Sequence, residues 1–173
     1  DGTVFGTVGT TITHMIFVGN EKLYKIKNCF IEGGAYGVGI KGDDIADPTS
    51  YTYNCKITGV RLSSMKTKGM ENTRWFNNYI IEDNAGGIGL DLTENTDSGA
   101  TGRGNGAIAM GNIFVMDTEV AINVDSVSNL GDNVLDHNTY YLNGASIAEF
   151  GATTYETIEE LRAGENIEHS GYS

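Results

Sequence analysis

The sequence predicts an all-β chain that winds into a solenoid of parallel strands, with about five coils of three strands and a short helix over its C-terminal end. Three observations lead to this fold class. The segment NCFIEG at residues 28–33 returns in altered form at 54–59, 78–83, 112–117 and 138–143. A second strand-like segment follows each repeat, and a third leads into the next one. Before residue 153, the chain has neither the strict alternation of a hairpin stack nor the roughly 10–15-residue helices of an α/β fold.

Asparagine opens every repeat, at positions 28, 54, 78, 112 and 138. Asparagine tolerates the left-handed backbone of a sharp corner better than most residues, and its amide carries both a donor and an acceptor. We therefore expect the five side chains to stack in one corner as a buried, hydrogen-bonded ladder. Lys56, two residues after its asparagine, cannot lie in a core. Its column is therefore expected to face outward, between two inward columns, and it also contains Phe30, Ile80, Phe114 and Tyr140.

The second strand of each coil follows the pattern V-x-[IL], which places its two apolar residues inside. The inward pairs are Val38 and Ile40, Val60 and Leu62, Ile88 and Leu90, and Ile122 and Val124. One outward column then contains Gly39, Arg61, Gly89 and Asn123, and the next contains Lys41, Ser63, Asp91 and Asp125. In this register Asp91 and Asp125 lie one coil apart, with carboxyl groups about 5 Å from each other.

The last part of the sequence predicts a helical cap. Residues 1–152 are expected to form the coils, and residues 153–173 a helix and tail that pack on the last coil. A capping box of Thr153 and Glu156 begins the predicted helix, and Gly164 ends it. Such a cap covers the sheet edge that an open solenoid end exposes. No comparable segment precedes the first coil, so we expect further N-terminal coils or another chain to cover that end.

The charge and composition exclude several classes of partner. The formal net charge is −12, from 23 acidic and 11 basic residues, and such a surface repels nucleic acid and anionic membranes. No stretch approaches the roughly 18 apolar residues of a membrane span. The two cysteines, Cys29 and Cys55, are too few for a disulfide scaffold. Because they share an inward column, we expect them to stack as buried free thiols.

The repeats and the tail resemble a known family. The N-x-x-[IVY] rungs with their Gly-rich V-x-[IL] strands, and the tail DHNTYYLNG…TTYETIEELRAGENIEHS, are similar to the right-handed parallel β-helix of the pectate-lyase-like superfamily. They resemble in particular the C-terminal portion of a secreted bacterial or phage-type protein. The resemblance implies an extracellular or cell-surface protein that binds or processes polysaccharide, as a lyase or a glycoside hydrolase. The alternative is a non-catalytic structural or adhesive β-helix, such as a tailspike or surface-fibre segment, that acts through oligomers such as a trimer.

The outward face of the V-x-[IL] strands contains the candidate catalytic residues Lys41, Arg61, Asp91 and Asp125. Two carboxyl groups about 5 Å apart match the separation of a retaining glycosidase pair. A lysine or an arginine can neutralise a uronate and abstract a proton, as β-elimination requires. The candidate substrate-binding residues are Asn123 on the same face and the charged residues Glu94, Asp97 and Arg103 of the long 93–106 insertion. The alternative is that all of these are solvent-facing residues without a ligand.

Ca²⁺ is the only cofactor that the sequence suggests. In the segment KGDDIADPT, Asp43, Asp44 and Asp47 offer the hard oxygen ligands that this ion takes. The spacing is not that of an EF-hand, and aspartate beside proline is also common in ordinary turns.

Overall fold

The computed structural model describes residues 3–5, 14–43, 45–83, 87–97, 103–117, 119–125 and 133–165. Within them the chain forms a parallel β-solenoid of about five coils, with three strands per coil and a short C-terminal helix. The expected fold class is therefore confirmed. Successive coils stack strand on strand, so that each of the three strand positions builds one sheet.

The three sheets are named A, B and C in the order in which the chain visits them. Sheet A contains β1 (Thr3–Phe5), β4 (Cys29–Glu32), β7 (Lys56–Thr58), β10 (Tyr79–Glu82), β13 (Ile113–Met116) and β16 (Thr139–Leu142). Sheet B contains β2 (His14–Gly19), β5 (Tyr36–Lys41), β8 (Ser63–Lys68), β11 (Ile88–Thr93), β14 (Val120–Val124) and β17 (Ser146–Phe150), with β18 (Thr153–Tyr155) added antiparallel at its end. Sheet C contains β3 (Lys25–Lys27), β6 (Tyr51–Tyr53), β9 (Arg74–Phe76), β12 (Ile108–Met110) and β15 (Val134–Asp136).

The core consists of columns of side chains, one residue from each coil. In sheet A the buried column is Ile31, Ile57, Ile80, Phe114 and Tyr140. The rings of Phe114 and Tyr140 stack with centroids 5.4 Å apart. In sheet C the buried column is Ile26, Thr52, Trp75, Ala109 and Leu135, where small residues lie on both sides of Trp75. In sheet C large and small residues thus alternate from one coil to the next, which fills the interior without overpacking.

The asparagines that the sequence assigned to one ladder lie in two adjacent columns, so the expected single column is wrong. Asn28 and Asn54 have left-handed backbones, with φ of 55° and 53°, and Asn77 takes the same corner position in the third coil with φ of 52°. Asn78 lies one residue further on and aligns with Cys55, because Tyr79 pairs with Lys56. Asn112 and Asn138 continue this second column. Because residues 77 and 78 are both asparagine, the sequence alone does not distinguish the expected alignment of Asn78 with Asn54 from the observed alignment of Asn77 with Asn54.

This shift changes which residues of the last three coils face outward. Ile80, Phe114 and Tyr140 were expected outside and are buried in the core. Tyr79 and Ile113 directly follow their asparagines, a place that belongs to one of the two columns expected to face inward, and both are exposed. In the first two coils the expected pattern is correct, with Lys56 exposed and both cysteines buried as free thiols.

Sheet B also differs from its expected register. Val60–Leu62 precede the strand β8 and are not part of it, so Leu62 is 45% exposed rather than buried. In β8 the residues Met65 and Thr67 face inward, and Lys66 and Lys68 take the outward places expected for Arg61 and Ser63. The strand SSMKTK was missed because it has a single strongly apolar residue.

The C-terminal cap is present, but its helix begins later than expected. Thr153 belongs to β18, and the helix α1 spans Ile158–Glu165, so that Gly164 lies inside it. The capping box consists of Thr157 and Glu160: the Thr157 hydroxyl accepts from Glu160 N at 3.2 Å, and the Glu160 carboxylate accepts from Thr157 N at 3.2 Å. The β-branched pair before Tyr155 favours a strand, which pairs with the open edge of β17.

The helix packs on the end of the solenoid as the sequence predicts. Tyr155, Ile158 and Leu161 are buried, and the Tyr155 ring contacts Phe150 edge-on at 5.6 Å. Within the described residues, no helix has both the length and the apolar character needed to cross a membrane.

Candidate functional site

A groove of about 470 Å³ lies on the outer face of sheet B, the face on which the sequence places the candidate site. The strands run across the groove, so each coil contributes its outward residues in turn. The first two coils supply the aromatic residues His14, Phe17 and Tyr36. The lysines Lys41, Lys66 and Lys68 follow, and then Thr93, Glu94, Thr96 and Asp125 at the other end. The groove therefore changes from aromatic to basic to acidic along the solenoid axis.

The aromatic wall is formed by two strands with a glycine between the rings. His14 stacks on Tyr36 with centroids 4.7 Å apart and lies 4.9 Å from the Phe17 ring. A Cβ on Gly39 would lie 2.5 Å from the His14 ring, so only glycine leaves the ring in this place. Burial lowers the pKa of His14, and the charge of Lys66 lowers it further. The imidazole is therefore neutral at pH 7.

Asp91 holds Lys66 in place at the floor of the groove. Asp91 is 3% exposed, and its carboxylate accepts from Lys66 Nζ, from Ser63 Oγ at 3.1 Å and from Asn123 Nδ2 at 2.8 Å. The Lys66 ammonium lies 5.5 Å from the centroid of the Tyr36 ring, within cation–π range. A buried carboxylate with three donors is fixed in position. Asp91 therefore orients Lys66 and is itself shielded from a ligand.

The segment after β11 bends over the lysines. Asp97 bridges Lys41 and Lys68, with Lys68 Nζ at 3.1 Å, and these two hydrogen bonds lower the pKa of the Asp97 carboxyl. Asn95 supports the bend by accepting from Asp97 N at 3.2 Å and donating to Asp43 at 2.8 Å. The pair Lys41 and Lys68 thus binds one carboxylate of the chain itself.

The acidic end of the groove is formed by Glu94 and Asp125. Asp125 Oδ2 accepts from the backbone N of Glu94 at 2.9 Å, which joins two neighbouring coils. Asp125 does not adjoin Asp91 as expected: Asp91 pairs with Asn123, and the chain reaches Asp125 two residues later, where its N donates to Leu92 O at 3.2 Å. The prediction of an adjacent carboxylate pair is therefore wrong. The strand register separates the two residues, and Asp91 is buried beneath Lys66.

The structure brings together some of the predicted site residues and separates others. Lys41, Glu94 and Asp125 line the groove, Asp97 bridges two of its lysines, and Asp91 and Asn123 lie beneath it. Arg61 lies in the turn before β8, and Arg103 is exposed; neither is among the residues that line the groove. The prediction that Arg61 lies one coil from Asp91 on this face is wrong, because the register of β8 places Lys66 there.

Sequence reasoning missed the aromatic wall and two of the lysines. The signal for the lysines was the alternation in SSMKTK, which places Lys66 and Lys68 on one face of a strand. The signal for His14 was the strand-like segment HMIFVG before the first asparagine repeat. The signal for Tyr36 was its position two residues before Val38, at the start of the same strand.

The candidate metal ligands do not form a metal centre in the part of the chain that the structure describes. Asp47 accepts from Thr49 N and Thr49 Oγ1, both at 2.7 Å, and these bonds lower the pKa of its carboxyl. This arrangement is a turn in which the aspartate side chain bonds to the backbone two residues on. Asp43 accepts from Asn95, and Asp44 lies outside the described residues. No group of three histidine, cysteine or acidic residues that could hold a metal ion occurs among the described residues.

A second surface depression lies on the opposite corner, where sheet C meets sheet A. It has a volume of about 400 Å³ and is lined by Tyr53, Phe76, Asn77, Met110, Gly111 and His137. Exposed apolar side chains surround it, among them Tyr79, Ile113 and Val134. We name this surface the corner strip.

No protein-family model matches the chain, and neither the curated proteins nor the solved structures yield a match. The geometry of the groove and of the corner strip is therefore the basis for a function.

Proposed function

We propose that the groove of sheet B binds a polysaccharide. The observation that carries the proposal is the row of outward residues that runs across the strands, with an aromatic wall at one end and charged hydrogen-bonding groups along the rest. Coils repeat about every 4.8 Å, so the groove presents its side chains at regular intervals. Such a spacing suits a ligand that is itself a repeating chain.

The chemistry of the groove fits a sugar chain. The Phe17 ring, which is 54% exposed beside the stacked pair of His14 and Tyr36, offers an apolar face against which the C–H face of a sugar ring can stack. Lys41, Lys68, Glu94 and Asp125 supply donors and acceptors for hydroxyl groups, and the lysines also bind anionic substituents. A pocket with an apolar wall and a few placed polar groups is the usual form of a small-ligand site.

Superfamily membership and location belong to the same proposal. The repeats and the tail resemble secreted pectate-lyase-like β-helices, and the parallel solenoid with three strands per coil is consistent with a β-helix. The chain then acts outside the cell or at its surface. Detection of the protein on unpermeabilised cells of its source tests the location, and confinement to the cell interior contradicts it.

Binding is tested by titrating the purified chain with a panel of neutral and anionic oligosaccharides. Tyr36→Ala removes the ring that holds both His14 and Lys66 in place along the groove, and it is expected to weaken the tightest ligand at least tenfold. Tyr51→Ala is the matched control, because Tyr51 is also half-buried beneath a lysine, with Lys25 Nζ 5.9 Å from its ring, but lies on sheet C. Absence of binding across the panel, or an equal effect of the two variants, contradicts the proposal.

Processing is read from the products formed with any ligand that binds. Hydrolysis adds one water to the summed mass of the fragments, whereas β-elimination adds none. A lyase is expected to depend on the groove lysines and a hydrolase on Glu94 and Asp125, the carboxylates that line the groove. An intact ligand after long incubation shows that the groove binds without cleavage.

The exposed apolar residues of the corner strip favour a second candidate function, a structural or adhesive β-helix that acts through oligomers. Solitary exposed apolar residues are common, but adjoining ones beside a depression mark interaction surfaces. Light scattering distinguishes this candidate, because a stable trimer or larger oligomer favours a structural β-helix, whereas a monomer or a dimer agrees with a groove-binding protein.

A further inference from the structure

One outward column of sheet C has opposite charges at its two ends. The strand register aligns Lys27, Tyr53, Phe76, Met110 and Asp136, one residue from each of five successive coils. The column begins with a cation, has three apolar side chains in the middle, and ends with an anion. At about 4.8 Å per coil, it is about 19 Å long. The depression of the corner strip lies over the three middle residues.

The column becomes complementary to itself when it is reversed. If two copies face each other with their solenoid axes antiparallel, Lys27 of each lies opposite Asp136 of the other. Phe76 then lies at the centre and faces its own counterpart, and Tyr53 faces Met110. A two-fold axis produces this kind of isologous contact, in which one patch serves both subunits.

We propose that the chain forms an antiparallel two-fold dimer through the corner strip. The neighbouring outward residues agree with this arrangement except at one position. On the next column of sheet C, Lys25 faces Val134, and Tyr51 faces Ile108, so reversal brings no like charges together at these positions. Arg74, at the centre of that column, faces its own counterpart, and each guanidinium donates to the carbonyls of Asp47 and Asn72 of its own chain. On sheet A, Tyr79 lies at the centre and Lys56 faces Ile113.

A parallel assembly does not fit the same surface. In a parallel dimer or trimer each residue of the column lies at the level of its own counterpart, so Lys27 meets Lys27 and Asp136 meets Asp136. Like charges at both ends oppose such an assembly. The net charge of −12 also repels a second copy at long range, but salt at about 0.15 M screens charges beyond about 8 Å. The closely opposed pairs of Lys27 and Asp136 at the two ends of the column then decide whether the two copies lie parallel or antiparallel.

The experiment is a charge exchange followed by sedimentation velocity at 0.15 M salt over a wide range of protein concentration. The wild type is expected to be a dimer. Lys27→Glu and Asp136→Lys, made singly, are each expected to raise the dimer dissociation constant at least tenfold. The double variant restores opposite charges and is expected to return the constant to within about threefold of the wild type.

Two further variants separate the contact from the fold. Tyr53→Lys places a charge in the apolar middle and is expected to give a monomer, whereas Phe17→Lys, an exposed aromatic on sheet B, leaves the dimer intact. Circular dichroism confirms that each variant retains its β structure. A wild type that is monomeric at every concentration overturns the proposal, as does a trimer. A double variant that remains as weak as the single ones also overturns it.

Discussion

Two adjacent positions at the corner between sheets C and A have different tasks. The first turns the chain: Asn28, Asn54, Asn77, Gly111 and His137 occupy it, all with positive φ. The second joins the coils inside the corner, and asparagine occupies it in the last three coils. There Asn78 Nδ2 donates to Thr52 O of the preceding coil at 3.1 Å and to Asn112 Oδ1 at 3.1 Å. Backbone conformation selects residues at the first position, and hydrogen bonding selects them at the second.

Cysteine replaces asparagine at the second position in the first two coils. The Cys55 thiol donates to Tyr53 O at 3.4 Å, and the Cys29 thiol to Lys27 O at 3.3 Å, both within the same coil. Burial is the main cause that raises the pKa of Cys55 to about 11, so this thiol stays protonated and unreactive at neutral pH. Cysteine can therefore occupy this position without an amide of its own, where an asparagine of the next coil bonds to its backbone N–H. Asn78 Oδ1 accepts from Cys55 N at 3.0 Å.

The first prediction distinguishes the two positions. Asn78→Ala leaves the Cys55 N–H and the Thr52 carbonyl without their partner in a fully buried corner. We expect it to lower the free energy of unfolding by about 1–3 kcal/mol. Asn54→Gly is the matched control, because it keeps the left-handed backbone and loses only an exposed hydrogen bond to Asn28. Its cost is expected to stay near 0.5 kcal/mol. Equal losses in urea titrations of the two variants contradict the separate tasks.

A second prediction concerns Glu82, which lies inside the solenoid. Burial raises the pKa of its carboxyl to about 8, and Asp83 adds to the rise, while hydrogen bonds from Ser64 and from the Val60 backbone oppose it. Glu82 Oε2 is buried and has no hydrogen-bond partner among the described residues. The folded protein therefore keeps a proton that the unfolded chain releases near its ordinary pKa of about 4.3.

The sign of the pH dependence follows from this proton. Between about pH 4.5 and 8 the folded state binds more protons than the unfolded state, so stability is lost as the pH rises through this window. The free energy of unfolding is expected to fall toward pH 8 and then to level off. Glu82→Gln, which cannot ionise, should lack this decline, whereas Glu32→Gln on the exposed side of sheet A should keep it. Identical slopes in the two variants, measured by urea titration from pH 5 to 9, would falsify the assignment to Glu82.

At the scale of the element, the C-terminal helix depends on a cap that the sequence pattern misplaced. Thr157 bonds to Glu160 N at the first turn of α1, whereas Thr153 lies exposed in β18. We expect Thr157→Ala to destabilise the protein by about 1 kcal/mol, which corresponds to a Tm lower by about 2–4 °C. Thr153→Ala, a control for the cap that the sequence predicted, should change Tm by less than half as much. A larger effect of Thr153→Ala in calorimetry contradicts the assigned cap.

The elements also explain how far the sequence could predict the fold and the site. The repeat length identifies stacked coils, because each coil must return to the same corner. The register within a coil is less certain, since a slip of one residue reverses the direction of every side chain. The consecutive Asn77 and Asn78 allow such a slip, and it placed Ile80 outside. In sheet B the apolar residues of Val60–Leu62 led the prediction to place the strand five residues too early. Lys66 and Lys68 were therefore not assigned to the strand.

The candidate site was affected by the same limitation. Lys41 and Asp125 line the groove of sheet B as predicted, because the alternation within their own strands was read correctly, but the offset between the strands of Asp91 and Asp125 was wrong by two residues. The partner of Asp91 was not predicted, because it depends on which residue of β8 lies beside it. Hydrogen bonds between coils join residues that are far apart in the sequence, such as Lys66 with Asp91, 25 positions apart, and Asn123 with Asp91, 32 positions apart. A pattern along one coil does not contain this information.

At the scale of the whole molecule, the solenoid separates two proposed activities onto different faces. The groove lies on the outside of sheet B, and the corner strip lies where sheet C meets sheet A. The filled core between them includes Trp75 and Leu90, both fully buried. Close-packed interiors resist small displacements, so a change confined to one face should leave the other unchanged.

The last prediction tests this independence with one variant on each face. Gly39→Ala brings a Cβ within 2.5 Å of the His14 ring, which must leave its stack on Tyr36. We expect glycan affinity to fall at least tenfold while the dimer dissociation constant stays within about twofold of the wild type. Tyr53→Lys is expected to have the opposite effect, with the dimer lost and glycan affinity retained. Titration and sedimentation of both variants give the four values required. If Tyr53→Lys weakens glycan binding as strongly as Gly39→Ala does, the groove depends on the dimer, and the two faces cannot act separately.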